Sequence, residues 1–153
     1  MSNQIYFDAM KAKGLADAAD LQERSSSLDG TALYAEEDKI PDFAEAVKVR
    51  NMLERKAGQK DGFVCRSSAG RVVRLLQVYD SEIYPQEPEE LPAQWGFVWS
   101  TDPGKALPFL SLSTSPYAKG DCCTTDGKTW RSKIDTNTWS PETNTEFWEE
   151  VEP

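Results

Sequence analysis

Histidine is absent from this 153-residue chain. Without an imidazole there can be no Ser-His-Asp or Cys-His nucleophile pair, and a zinc site loses its usual nitrogen ligand. Cysteine is scarce. Cys65, Cys122 and Cys123 are too few, and of the wrong parity, for a disulfide framework, so reduced thiols are expected. No apolar run approaches the ~20 residues of a membrane-spanning helix. The opening MSNQIYFDAMKAKG also lacks the basic and apolar regions of a secretion signal, so the chain is expected to be made in the cytoplasm, with no membrane partner. Positive charge is in deficit as well: residues 1–60 carry 11 acids and 9 bases, net −2, and residues 61–153 carry 15 acids and 8 bases, net −7. A surface of that sign repels phosphate backbones, so nucleic acid is not an expected partner.

What is present points to a folded chain, because 39% hydrophobic residues and five Trp are ample for a core. Residues 1–59 read as helical. Asp42 and Glu45 have capping-box spacing, Phe43, Ala46, Val47 and Leu53 follow a helical period, and Gly58 sits where a C-terminal glycine belongs, which predicts a helix over about 42–57. Upstream, Tyr6, Ala9 and Met10 share a face, Gly14 interrupts, and Leu15, Ala18 and Ala19 resume the pattern. The stretch SSSLDGTALYAEEDKIP reads as a connector. Beyond Gly58, GFVCRSSAGRVVRLLQVY predicts a β-hairpin turned at Ser67 to Gly70. The Pro-rich run to Trp95 predicts an extended strap, and a short strand is expected near Phe109 to Leu112.

The β-rich part repeats. Gly127 to Arg131 and Gly70 to Arg74 both span four residues, and Pro141 to Trp148 and Pro88 to Trp95 both span seven. The repeat predicts an α+β chain in three parts: a helical leader or assembly segment at 1–59, and small antiparallel β-units at 60–102 and 103–153. Each unit is expected to be a hairpin followed by a strap whose terminal Trp packs back onto the sheet. Units this small bury little surface alone, so they are expected to lean on each other or on the helices.

The order Tyr117, Gly120-Asp121, Gly127, Trp130, Ser140-Pro141 and Trp148-x-x-Val151 resembles the chitin-binding modules of carbohydrate-binding family 5/12, well over 117–151 and loosely over 61–98. The resemblance implies that Tyr117, Gly120, Asp121, Gly127, Trp130 and Trp148 build the fold. In that family a Trp pair in the strand after the aromatic forms the platform on which sugar rings stack. Here Ile134 and Asp135 stand at those positions, and Gln77 and Val78 stand near them in the middle repeat. The runs SSAGRVVRLLQ, YPQEPEELPAQWGF and STSPY-x-KGDCC further resemble small proteins of prophage tail regions in Gram-positive bacteria. That resemblance implies a virion-associated protein whose partners are other tail proteins and further copies of itself.

The remaining aromatics are the candidate ligand contacts: Trp139 first, then Tyr84 and Trp99. Trp95, Trp130 and Trp148 are assigned to cores. Cys122 and Cys123 are expected to be buried, with a metal site or a vicinal disulfide as the other readings. Neighbouring strand residues face opposite ways, which disfavours a shared ion. Glu87, Glu89, Glu90, Glu149 and Glu150 lie in Pro-rich or terminal acidic runs and read as solvated surface rather than a glycosidase pair. No catalytic, cofactor or metal residues are assigned. The expected function is therefore a non-enzymatic phage or prophage virion protein, tail-associated, acting by protein–protein contact. The alternative is an adhesin for a host-surface glycan.

Overall fold

Asp126 and Gly127 both adopt positive φ, 53° and 75°, the backbone of a two-residue type I′ turn that matches the twist of paired strands. The turn joins two antiparallel strands of a four-stranded sheet. In the computed structural model, which describes residues 20–46, 63–76 and 84–153, the strands are β1 (Val64–Arg66), β2 (Val72–Leu75), β3 (Trp95–Phe97), β4 (Leu107–Pro108), β5 (Cys122–Thr125), β6 (Lys128–Ser132) and β7 (Trp148–Val151). They form a three-stranded sheet in the order β1-β2-β3 and a four-stranded sheet in the order β4-β5-β6-β7. A helical run over 20–24 and two short helices, α1 (Gly30–Ala35) and α2 (Phe43–Ala46), precede them. This mixture agrees with the expected α+β class.

The repeat is visible in the register. Leu75 pairs with Trp95 in the first sheet, and Ser132 pairs with Trp148 in the second. Cys65 opposite Val73 corresponds to Cys123 opposite Trp130. The hairpin loops differ: the first is closed by Ser67 N–H donating to the Arg71 carbonyl at 2.8 Å, with Gly70 at φ 88°.

Alternation along the first sheet sends its two faces into different cores. Phe63, Cys65, Val73, Leu75, Trp95 and Phe97 face the second sheet and pack with Tyr117, Cys123 and Trp148. On the opposite face, Val64 and Val72 pack with Leu21, Leu33, Tyr34 and Ile40 of the N-terminal segment. The molecule is layered, helices on sheet on sheet. The interface between the sheets is aromatic: Trp99 stacks on Tyr117 at 4.2 Å, and Phe109 meets Tyr117 at 5.5 Å and Trp148 edge-on at 6.0 Å.

Three expectations require correction. The stretch read as a connector contains α1, capped by the Asp29 carboxylate accepting from Ala32 N–H at 2.8 Å, and its Leu33 and Tyr34 are buried. Gly30 opens this helix because a Cβ there would collide with the Trp99 carbonyl. The strand expected at 109–112 lies instead at Leu107–Pro108 and runs parallel to β5, so the second sheet is mixed rather than antiparallel. Past Phe109 the Tyr117 hydroxyl takes the Leu110 N–H at 3.2 Å, drawing the chain off the sheet. Asp42, expected as a cap, immediately precedes α2 and also pairs with Arg66 at 3.2 Å. Of the helix expected over 42–57 the first turn is described, and of the upstream helical pattern the end is described as helix over 20–24; the remainder of both and the 77–78 positions lie outside the described residues. Among the described residues no helix is long and apolar enough to cross a membrane.

Trp95 and Trp148 are buried at equivalent register positions. Replacing either with Ala is expected to cost about 3–5 kcal/mol in denaturant unfolding. Parent-like midpoints for both variants would show that the two straps do not anchor the sheets.

Candidate functional site

Asn137 is fully buried, and its side chain organises the strap between β6 and β7. Its Nδ2 donates to Ser132 Oγ at 2.9 Å and to the Phe147 carbonyl at 3.4 Å, while its Oδ1 accepts from Trp139 N–H at 3.1 Å. Its backbone exchanges hydrogen bonds with Tyr117 at 2.9 and 2.8 Å. Trp148, otherwise core, donates its Nε1–H to the Trp139 carbonyl at 2.7 Å. Both backbone groups of Trp139 are thus held by buried side chains, yet Trp139 itself is 45% exposed. Its ring leans on Phe147 at 5.0 Å with the planes tilted by 44°. A ring fixed in this way has lost conformational freedom before any partner arrives, so a partner meets less ordering cost.

Thr136, immediately before Asn137, has φ 54°. A β-branched residue in the left-handed region is an outlier, and such strain persists only where the surroundings enforce it. Here the enforcing contacts are those of Asn137. Asp135, at one of the two positions where the resemblance would place a sugar platform, uses its carboxylate to accept from Lys119 N–H at 3.0 Å. Ile134 is half-buried.

The other two candidate aromatics part company with Trp139. Trp99 is only 7% exposed, stacked against Phe97 and Tyr117, with its Nε1–H on the Ser115 carbonyl at 3.0 Å. It presents no ring face to a ligand, and its assignment as a contact residue is corrected to core. Tyr84 is 37% exposed, on the strap of the first unit. Phe147 and Asn137, which complete the Trp139 site, escaped the sequence reading, because nothing local marks a half-buried Phe or a buried Asn as an anchor.

In the first unit, several polar groups around one cleft are committed to structure. A cleft of about 410 Å³ is lined by Asp42, Ala44, Arg66, Ser67, Ser68 and Gly70. There Arg66 pairs with Asp42, Ser67 Oγ accepts from Arg71 N–H at 3.2 Å, and Ser68 donates N–H and Oγ–H to the Glu87 carboxylate at 2.9 and 3.1 Å. Cys122 and Cys123 face opposite sides of β5: Cys123 points into the core, and Cys122 Sγ lies 3.7 Å from the Thr101 carbonyl. Among the described residues no cluster of three His, Cys, Asp or Glu could hold a metal. Burial, with the adjacent Cys122 adding to it, pushes the Cys123 thiol up to about 12. Burial likewise raises the Tyr34 phenol to about 12 and shifts Cys65 and Tyr117 upward.

No family model matches the chain, and neither a curated protein nor a solved structure does so.

Two measurements follow from this geometry. Thr136→Asn, which tolerates a left-handed backbone, is expected to stabilise the fold by about 0.5–1 kcal/mol in denaturant titration; a destabilised variant would show that the Thr side chain is required. The raised thiols and phenols keep their protons in the fold while the unfolded chain ionises from about pH 9–10. Their contribution is therefore complete below about pH 9 and is lost as pH climbs towards 12. Melting temperatures should fall steeply across that window, and a flat profile would contradict the burial of these groups.

Proposed function

We propose that this chain is a non-enzymatic component of a phage or prophage particle, tail-associated, that works by protein–protein contact. The observation that carries the contact reading is Trp139, an exposed ring locked at both backbone groups by buried Asn137 and Trp148. Such an arrangement suits recognition rather than chemistry, since among the described residues no titratable group is hydrogen-bonded to the indole. The prophage setting rests on the sequence runs that resemble tail-region proteins. The shared register of the two sheets supports the idea of a family 5/12-like unit used twice as a building block. Mass spectrometry of gradient-purified particles from an induced lysogen is expected to find the protein at stoichiometric level. Abundance in the lysate with absence from intact particles would defeat the virion assignment.

A second reading, an adhesin for a host-surface glycan, is favoured by the same ring, because one fixed indole can stack on a sugar face. Against it, Ile134 and Asp135 offer an aliphatic branch and a hydrogen-bonded carboxylate where the family has its Trp pair. The unmodified protein is expected to show no retention on insoluble chitin. Retention abolished by Trp139→Ala would make the glycan reading the better one.

A further inference from the structure

Each of the two sheets has two edges, and among the described residues three of the four are covered. Gln22 pairs with both backbone groups of Val64 on β1, at 2.7 and 3.0 Å, and the Pro41 carbonyl takes Arg66 N–H at 2.9 Å. On β3, Phe97 N–H is taken by Ser115 Oγ at 2.9 Å. On β4, the buried Arg71 donates Nη2–H to the Pro108 carbonyl at 2.8 Å.

The outer edge of β7 differs. Lys133 N–H donates to the Phe147 carbonyl at 2.9 Å, and antiparallel alternation then turns Glu149 and Val151 towards β6 and the backbones of Trp148 and Glu150 outward. The Trp148 N–H is satisfied by the Thr145 carbonyl. That leaves the Trp148 carbonyl and both backbone groups of Glu150 facing outward, and among the described residues no strand lies against them. The Trp139–Phe147 pair adjoins the start of this edge, because Phe147 immediately precedes β7 and Trp148 holds the Trp139 carbonyl.

We propose that the outer edge of β7, together with Trp139, is a docking strand for an extended basic segment of a partner protein. This rests on the contact reading given above. The charge on the edge selects the occupant. From residue 134 to residue 153 the chain carries Asp135, Glu142, Glu146, Glu149, Glu150 and Glu152 and no Lys or Arg. Glu149 and Glu150 are exposed on β7 itself. Acids on an open edge repel a second copy of the same strand, because like charges would stand opposite one another. The same acids attract a strand carrying Lys or Arg, whose backbone completes the ladder. An Arg of that strand near the start of β7 can lie over the exposed indole of Trp139 as a cation on a π face.

The test uses the full chain and a short synthetic peptide of alternating Arg and Val, with an alternating Glu and Val peptide and a chitin oligomer as the other probes. The Arg peptide is expected to shift the Glu150 amide and Trp139 indole resonances, to slow hydrogen exchange at the Glu150 amide, and to bind several-fold more weakly as ionic strength rises from about 0.05 to about 0.3 M. Trp139→Ala is expected to weaken binding about 2–5-fold. Glu149→Lys combined with Glu150→Lys should weaken it at least tenfold. Three results would each overturn the proposal: no slowing of exchange at Glu150, equal binding of the acidic peptide, or a response at Trp139 to the chitin oligomer alone. Failure here with the protein still present in purified particles leaves the virion assignment intact, and the converse result defeats only that assignment.

Discussion

The first sheet is only three strands wide, and it must be covered on both faces. Val72 and Val73 are neighbours in β2, both with no exposed surface, and they belong to different cores. One alternating strand therefore couples the two layers. The helical side reaches across as well. The Tyr34 hydroxyl accepts from Val72 N–H at 3.0 Å and donates to the Val98 carbonyl at 3.0 Å, so a helix side chain is inserted where the β2–β3 ladder would otherwise close. Arg74, on the same face, donates to the carbonyls of Ser25 and Leu28 and ties down the end of the preceding helical turn. Remove this sheet and neither the short helices nor the second sheet has enough apolar area to fold against.

Trp148 carries that constraint outward to the surface. Its ring packs edge-on against Tyr117 and Phe109 in the core, and its one polar atom fixes the carbonyl of an exposed residue. A buried indole N–H needs an acceptor, and here the acceptor is the backbone of Trp139. Stability and presentation are thus served by one side chain. The strain at Thr136 belongs to the same device, since the left-handed turn delivers Asn137 to its interior position.

Much of the fold was legible before any coordinates. The recurrence of Gly, Arg and Trp at matched intervals announced two units of one design, each expected as a hairpin followed by a strap. Local signals of this kind report backbone preferences, which each residue carries with it. The helix at Gly30–Ala35 was equally local, with Asp29 as its cap, but its brevity made it look like a loop. A six-residue helix is unstable alone and exists because Leu33 and Tyr34 find a sheet to cover.

The sequence by itself determined the hairpin turns, the alternation that gives each sheet two faces, and the acidic sign of the surface, because these depend on residue type and short-range spacing. Tertiary structure alone decided which aromatics would be seen by a partner. Trp99 and Trp139 both looked available, yet one is stacked between Phe97 and Tyr117 and the other stands exposed. Exposure depends on what two distant segments bring against a ring, and no local pattern encodes it. The same holds for the outer edge of β7, against which no described strand lies, and which stood out only when Gln22, Ser115 and Arg71 were found covering the other three.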